Sequence, residues 1–273
     1  MKKVSKVNVK GNLKGAIIKA VDLIGGFNGF IQTGDVVLVK PNYNSTDPFP
    51  ATTDIEFLKN VVEIIYRAGA KEVIIGESVE CTLDTKKILK KMGLFELEKM
   101  NPAPKILPFY DWTTKKIPNP KYIKKVSLSA SLDRVDKIIL LPCLKTHMCA
   151  EISASIKISF GFVKPMERIP IHLHDLSEKI AEINKLINPT LIIMDARKCF
   201  VTGGPYKGLT KAPDLILASD DRIAIDVEGI KIIQSFPGNN ISKKDPWNIT
   251  QIKKAAEFGL GARSEKEYEV ING

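Results

Sequence analysis

Four basic residues sit where they could meet a small anion: Lys40 in VVLVKPN, Lys145 and His147 in LLPCLKTH, and Lys157 in SIKISFG. Lysine ammonium groups offer charge and hydrogen-bond donors to carboxylate or phosphate oxygens, and Thr52 and Thr53 would add hydroxyls at a helix N-terminus, where the dipole favours negative charge. The other reading makes Lys40 and Lys145 solvated surface lysines. His147, beside a lysine just after a buried strand, is placed for work as a general acid, a general base or a ligand. A loop hydrogen bond would explain it equally.

The four cysteines, Cys81, Cys143, Cys149 and Cys199, form no C-x-x-C motif, so reduced thiols are expected rather than a disulfide framework. Cys81, Cys143 and Cys199 each fall just beyond an expected strand, and Cys149 lies six residues after Cys143. In a parallel sheet such loops converge on one edge, where thiolates distant in sequence could hold a 4Fe-4S cluster or another soft metal. Scattered, partly buried cysteines are the alternative. His172 and His174, in IHLHD, have the spacing of a metal pair on an extended segment, but Asp175 as the next helix cap favours a structural loop for at least one of them.

Glu77 and Asp195 end strands and could be general bases or metal ligands. Asp220 and Asp221 flank a helix start, where capping suffices to explain them. Asp226, in RIAIDVEGI, is expected to be partly buried and to need a partner. Gly203, Gly204 and Pro205 make a tight turn that lets backbone approach a ligand closely. No dinucleotide, P-loop or nucleophile-elbow pattern occurs, which removes the familiar nucleotide and hydrolase classes.

The elements that must position these residues alternate between strand and helix. VSKVNV reads as a first strand, followed by a helix over 12–24 that Gly25 and Gly26 stop. DVVLVKP (35–41) is apolar enough to be buried on both faces and ends at Pro41. Thr53 and Glu56 have capping-box spacing ahead of a helix with Ile55, Leu58, Val62 and Ile65 on one face and Gly69 at its end. EVIIGES, VDKIILLP (135–142), PTLIIMDA (189–196) and DLILAS (214–219) are further strands. Asp84 caps a short helix, and other helices are expected over 151–160, from about Asp175, near 221–234 and near 248–258. The spacing therefore predicts one α/β domain over 1–273, a mostly parallel sheet with helices on both faces and a ligand crevice at the C-terminal strand ends. The Pro- and Lys-rich stretch within 101–130 reads as an insertion or edge hairpin.

A formal net charge of +10 favours acidic partners, and 44% hydrophobic residues suit a globular chain. Dispersed lysines, few aromatics and no recognisable motif argue against nucleic acid. No apolar run is long enough for a membrane span, and the alternating N-terminus lacks the apolar stretch of a signal peptide, so a cytoplasmic protein is expected.

VLVKPN with the following ATT, VIIGES, LLPCLKTH, SIKISFG, LIIMDA with GGP, and ASDDRIAID together resemble the domain-of-unknown-function 362 family over most of the chain. The positions that match its motifs are Lys40, Pro41, Asn42, Thr52, Thr53, Lys145, Thr146, His147, Lys157, Gly161, Asp195, Gly204, Pro205, Asp220 and Asp226. We expect these positions to converge on one crevice, because loops after parallel strands meet at the same edge of the sheet. Family members are often fused to a ferredoxin-type cysteine cluster, a module this chain lacks, and Cys143 and Ile158 stand where the family usually carries lysine and asparagine.

The leading expectation is an enzyme that binds a small anionic substrate between Lys40, Lys145, His147 and Lys157, with Asn42, Thr52, Thr53 and Gly204 contributing to binding and Asp195 to catalysis. An iron-sulfur cluster or other metal would sit on the four cysteines. The alternatives are an iron-sulfur carrier serving a redox partner without a substrate of its own, and a metal-free anion-binding enzyme.

Overall fold

Alternate side chains of a central strand must leave on opposite faces, and in this chain both faces are apolar. The computed structural model describes residues 1–273. It begins with β1 (Lys2–Asn8), α1 (Leu13–Asp22), α2 (Phe27–Phe30) and β2 (Val36–Lys40). Asn12 caps α1, its side-chain oxygen accepting from the Gly15 N–H at 2.9 Å. Val37 and Val39 of β2 enter a core with Ile17 and Val21 of α1, whereas Leu38 between them enters a second core on the other side.

Next come α3 (Ile55–Arg67), β3 (Glu72–Glu77), α4 (Thr85–Lys91) and β4 (Lys105–Pro108). Leu58, Val62 and Ile65 of α3 are fully buried against the same face as α1. The cap of α3 is not the expected Thr53 but Asp54, whose carboxylate accepts from the Phe57 N–H at 2.9 Å. Thr53 is occupied elsewhere, as described below. Asp84 caps α4 as its spacing predicts, accepting from the Lys87 N–H at 2.7 Å. Strands β5 (Trp112–Lys116) and β6 (Lys125–Ser129) form a separate two-stranded antiparallel sheet.

The middle of the chain holds β7 (Lys137–Leu140), β8 (Cys143–His147), β9 (Glu151–Ser153), α5 (Ser155–Ile158), α6 (Pro165–Ile171) and α7 (Leu176–Ile183). Three expectations fail here. CLKTH is a strand rather than a loop, and 151–160 is a short strand followed by a single helical turn rather than one helix. Both follow from β10 (Leu191–Phe200), which runs four residues past the expected Ala196 and so offers a ladder for β8, which in turn recruits β9. At the start of α7, Asp175 adopts φ 52° and makes no side-chain cap hydrogen bond, contrary to its expected role.

After β11 (Thr210–Lys211), β12 (Leu215–Ser219), α8 (Arg222–Gln234) and α9 (Thr250–Glu257), the chain ends on an edge strand, β13 (Tyr268–Asn272), that the sequence pattern did not reveal. The main sheet runs β13-β1-β12-β10-β7-β2-β3-β4. Strands β10, β7, β2, β3 and β4 are mutually parallel, while β12 runs against both β1 and β10. Helix α8 is buried nearly all round, and Asp221 caps it through the Ile223 and Ala224 N–H groups, both at 2.9 Å. No helix is long and apolar enough to cross a membrane.

Candidate functional site

Beyond the carboxyl ends of β2 and β3 lies a cavity of about 470 Å³, walled by β8, α5, α6 and the turn after β10. Strand alternation decides what β8 contributes. Cys143, Lys145 and His147 share one face, and of these Lys145 and His147 line the cavity.

The floor is a buried ion pair. Lys40 Nζ lies 2.5 Å from Glu77 Oε1 and donates to the Pro41 carbonyl at 2.7 Å. Glu77 also accepts from the Tyr43 and Ser78 N–H groups, both at 2.8 Å. Burial pulls Lys40 down and Glu77 up, and each partner's charge opposes that effect on the other. Lys40 lines the cavity as expected, but its charge is already spent on Glu77. Gly161 makes room for it: a Cβ there would lie 2.7 Å from Lys40 Cε.

Three other cations facing the cavity make no salt bridge, although Glu77 and Glu80 also line it and the charge of Glu77 favours that of Arg168. Lys145 Nζ donates to the Ala51 carbonyl, and burial lowers it to about 8. Lys157 stands 5.7 Å from the centroid of the Phe160 ring, and burial, followed by the charges of Lys145 and Arg168, lowers it to about 8 as well. Arg168 is fixed by the carbonyls of Val163 (2.9 Å), Val79 (3.0 Å) and Gly161 (3.0 Å) and by the Ser78 hydroxyl, and burial lowers it to about 10. A buried charge without a counter-ion is unfavourable, so this concentration of cations suits an anionic occupant.

The two histidines on the cavity differ in tautomer. Nδ1 of His147 accepts from the N–H groups of Cys149 (3.1 Å) and Ala150 (3.2 Å), which leaves the ring proton on Nε2. Burial, then the charges of Lys157 and Lys145, hold this imidazole well below its ordinary pKa. His147 is therefore a neutral donor at physiological pH, not a general base. His172, at the mouth, donates from Nδ1 to the Arg168 carbonyl at 2.6 Å, which leaves Nε2 as an acceptor; burial lowers its pKa too. His174 lies away from this cavity, so the H-x-H pair is split.

Asn42 lines the cavity, its N–H donating to Thr53 Oγ1 at 2.7 Å and its side chain to the Ala51 carbonyl at 3.2 Å. Thr52 donates to the Asp47 carbonyl at 2.6 Å, so both threonines lock the loop after β2 behind the cavity wall rather than facing a ligand. Asp195 is buried away from the cavity, and Arg197 engages both its oxygens, at 3.0 and 2.7 Å, while also reaching Asp54 at 3.1 Å. Gly204 also sits behind the wall, with no room for a Cβ beside the Thr146 carbonyl, and hands the lining to Pro205 and Tyr206.

The four cysteines do not form one ligand set. Cys81 lines the cavity and Cys149 is exposed, whereas Cys143 is buried 3.9 Å from Thr53 Oγ1 and Cys199 is buried in the ladder opposite Lys211. Burial pushes the Cys143 thiol up to about 11 and the Cys199 thiol up to about 12, which disfavours the thiolates a metal would need. No three His, Cys, Asp or Glu side chains are placed to hold a metal ion. The cause is the extended β8 and β10, which take into strands two thiols expected in loops. These residues do not fit a four-thiol cluster.

Arg168 and Tyr206 line the cavity without any mark in the sequence, and His172 lines it without the metal partner that its H-x-H spacing suggested. Arg168 and His172 lie in MERIPIHLH, where Pro170 interrupts the helical pattern.

Fold and cavity together define an α/β protein with a cationic, histidine-bearing site at the carboxyl ends of its parallel strands. The chain belongs to the family described as Domain of unknown function (DUF362), whose sequence model matches residues 37–231. It is 25% identical over 258 residues to the thylakoid-associated protein sll1697 of Synechocystis sp., covering 92% of this chain and 76% of that one. Among solved structures it is similar to a protein from Thermotoga maritima, with TM-score 0.43 and 13% identity over 70% of this chain and 51% of that one. It is also similar to the lactate racemase apoprotein of Thermoanaerobacterium thermosaccharolyticum, with TM-score 0.47 and 11% identity over 83% of this chain and 56% of that one. The chain spans about half the length of these solved structures.

Proposed function

We propose that this protein is an enzyme that binds a small carboxylate- or phosphate-bearing substrate in the cavity and moves a proton on it. The observation that carries this reading is the convergence of Lys145, Lys157 and Arg168 on one cavity with no salt bridge to any of them. An anion placed there would gain charge-assisted hydrogen bonds and would relieve the mutual repulsion of the three cations. His147 Nε2–H would polarise a substrate oxygen, and His172 Nε2 would accept a proton at the mouth. Lys145 and Lys157, each near 8, are poised to give or take protons close to neutral pH.

Calorimetric titration with inorganic phosphate and with malonate at pH 7 tests this reading. Wild type should bind at least one of them, and Lys157→Met and Lys145→Met should each weaken that binding by tenfold or more. Equal affinity in wild type and both variants, or no binding of either anion by wild type, would reject the site. The carrier alternative has less support, because the thiols that would hold its cluster are dispersed.

A further inference from the structure

The cavity changes character at its mouth. Met166, Ile169 and Leu173, spaced i, i+3, i+7 on α6 and the turn after it, are 61, 46 and 75% exposed. That spacing puts them on one stripe, while Arg168 and Ile171 of the same segment are buried. Ile169 and Leu173 also line the cavity, so the stripe continues its wall instead of lying on unrelated surface. Across the mouth stands Tyr206, whose hydroxyl accepts from Asn44 Nδ2 at 2.7 Å. Deeper in, Phe160 and Ile158 carry the apolar lining toward Lys157. One continuous path thus runs from three cations that make no salt bridge to an exposed apolar ridge. A substrate small enough to occupy only the cationic end would leave that ridge in water, whereas a longer one would cover it.

We propose, building on the anion-site reading above, that the ligand is amphiphilic: an anionic head seats against Lys145, Lys157 and Arg168, and its hydrocarbon chain leaves over Ile169 and Leu173. The head is a carboxylate or a phosphate monoester, which share charge and acceptor geometry. Apolar contact area is what the chain adds, so affinity should climb with length until the chain passes Leu173 and then level off.

The test is calorimetric titration of the whole protein with acetate, butyrate, hexanoate and octanoate, and in parallel with methyl, butyl and octyl phosphate, all below their micellar concentrations. Affinity is expected to rise by up to about fourfold per methylene in the series whose head the site accepts. Ile169→Ser and Leu173→Ser, both at exposed positions, should flatten that rise while leaving acetate or methyl phosphate binding unchanged. Binding that depends on Lys157 but is flat with chain length would overturn the amphiphile and leave the anion site intact. Chain-length dependence that survives Lys157→Met unchanged would overturn both readings. If instead Leu173→Ser converts a dimer to a monomer in sedimentation and wild-type binding is flat with length, a second copy covers the ridge and the proposal falls.

Discussion

Arg168 ties His172 to the floor of the cavity: its carbonyl accepts the Nδ1 proton of His172 at 2.6 Å, while its guanidinium donates to the Gly161 carbonyl at 3.0 Å. His147 is fixed independently and in the opposite sense, by backbone N–H groups that donate to its Nδ1. One ring therefore offers a proton and the other a lone pair to the same space. Backbone groups set both tautomers, so they do not depend on what is bound.

That assignment predicts a spectroscopic result. Long-range nitrogen-15 NMR should show His147 as the Nε2–H tautomer and neutral from pH 5 to 8, with His172 as the Nδ1–H tautomer. Because the folded pKa of His147 lies below the unfolded value near ~6.5, its contribution to stability is present above that pH and is lost as the pH falls. A His147 ring that gains a second proton near pH 6 would contradict the structure.

Lys157 is predicted to trade stability for binding. Its folded pKa, about 8, is below the model-peptide value of about 10.5, so the folded state binds fewer protons between these values and stability rises with pH across that window. At pH 7 the buried charge is a cost. Lys157→Met should therefore raise stability at pH 7 by on the order of 1–2 kcal/mol, or roughly 2–8 °C in Tm, while weakening anion binding. A variant that melts below wild type at pH 7 would show that Lys157 has a compensating partner.

The parallel half of the sheet was legible because VVLVK, EVIIGE and IIL are short apolar runs bounded by Gly, Pro or charge, and burial on both faces accounts for such runs. The placement of Lys145, His147 and Lys157 on the cavity was legible for the same reason: each follows closely on an apolar segment that had to be inside. What the pattern hid was set by tertiary pairing. CLKTH becomes a strand only because β10 extends past it, and that extension also scatters the thiols. Arg168 and His172 reach the cavity from a Pro-interrupted helix whose apolar stripe of Met166, Ile169 and Leu173 faces outward, so the usual rule that an apolar stripe is buried points away from them. Asp195 looked catalytic at its strand end, but the nearby Arg197 neutralises it, and a sequence cannot show which way that side chain turns.

Asp226 should control α5, the turn that carries Lys157. Its carboxylate accepts from the N–H groups of Ser155 (2.8 Å) and Ile156 (2.9 Å), while burial pushes its pKa up to about 7. A folded pKa raised above the unfolded value near ~3.9 gives stability that is fully present below that value and is lost as the pH rises through about 7. Between pH 4 and 7, wild type should thus lose a few kcal/mol of stability relative to Asp226→Asn, read as converging or crossing denaturant midpoints. The variant should also weaken phosphate binding above pH 7, because the amide oxygen cannot hold both N–H groups as the carboxylate does. Parallel stability curves across this range would mean that Asp226 keeps an ordinary pKa.

Two glycines should respond differently to the same added methyl. At Gly204, φ is +68° and a Cβ would sit 1.9 Å from the Thr146 carbonyl oxygen, a backbone atom of the strand that carries Lys145 and His147. Neither the torsion nor the carbonyl can yield cheaply, so Gly204→Ala should cost about 2 kcal/mol or more and displace the wall of the site. At Gly161 the added Cβ would meet Lys40 Cε at 2.7 Å and Nζ at 2.8 Å, the far end of a flexible side chain at an ordinary backbone conformation. Lys40 can retreat, but only by loosening its contact with Glu77, which leaves a buried carboxylate with less compensation. Gly161→Ala should therefore fold and lower stability, and Glu77 should bind a proton at higher pH than in wild type. Carbon-13 NMR of the Glu77 carboxyl distinguishes this outcome from simple crowding, which would lower the melting temperature without moving that titration.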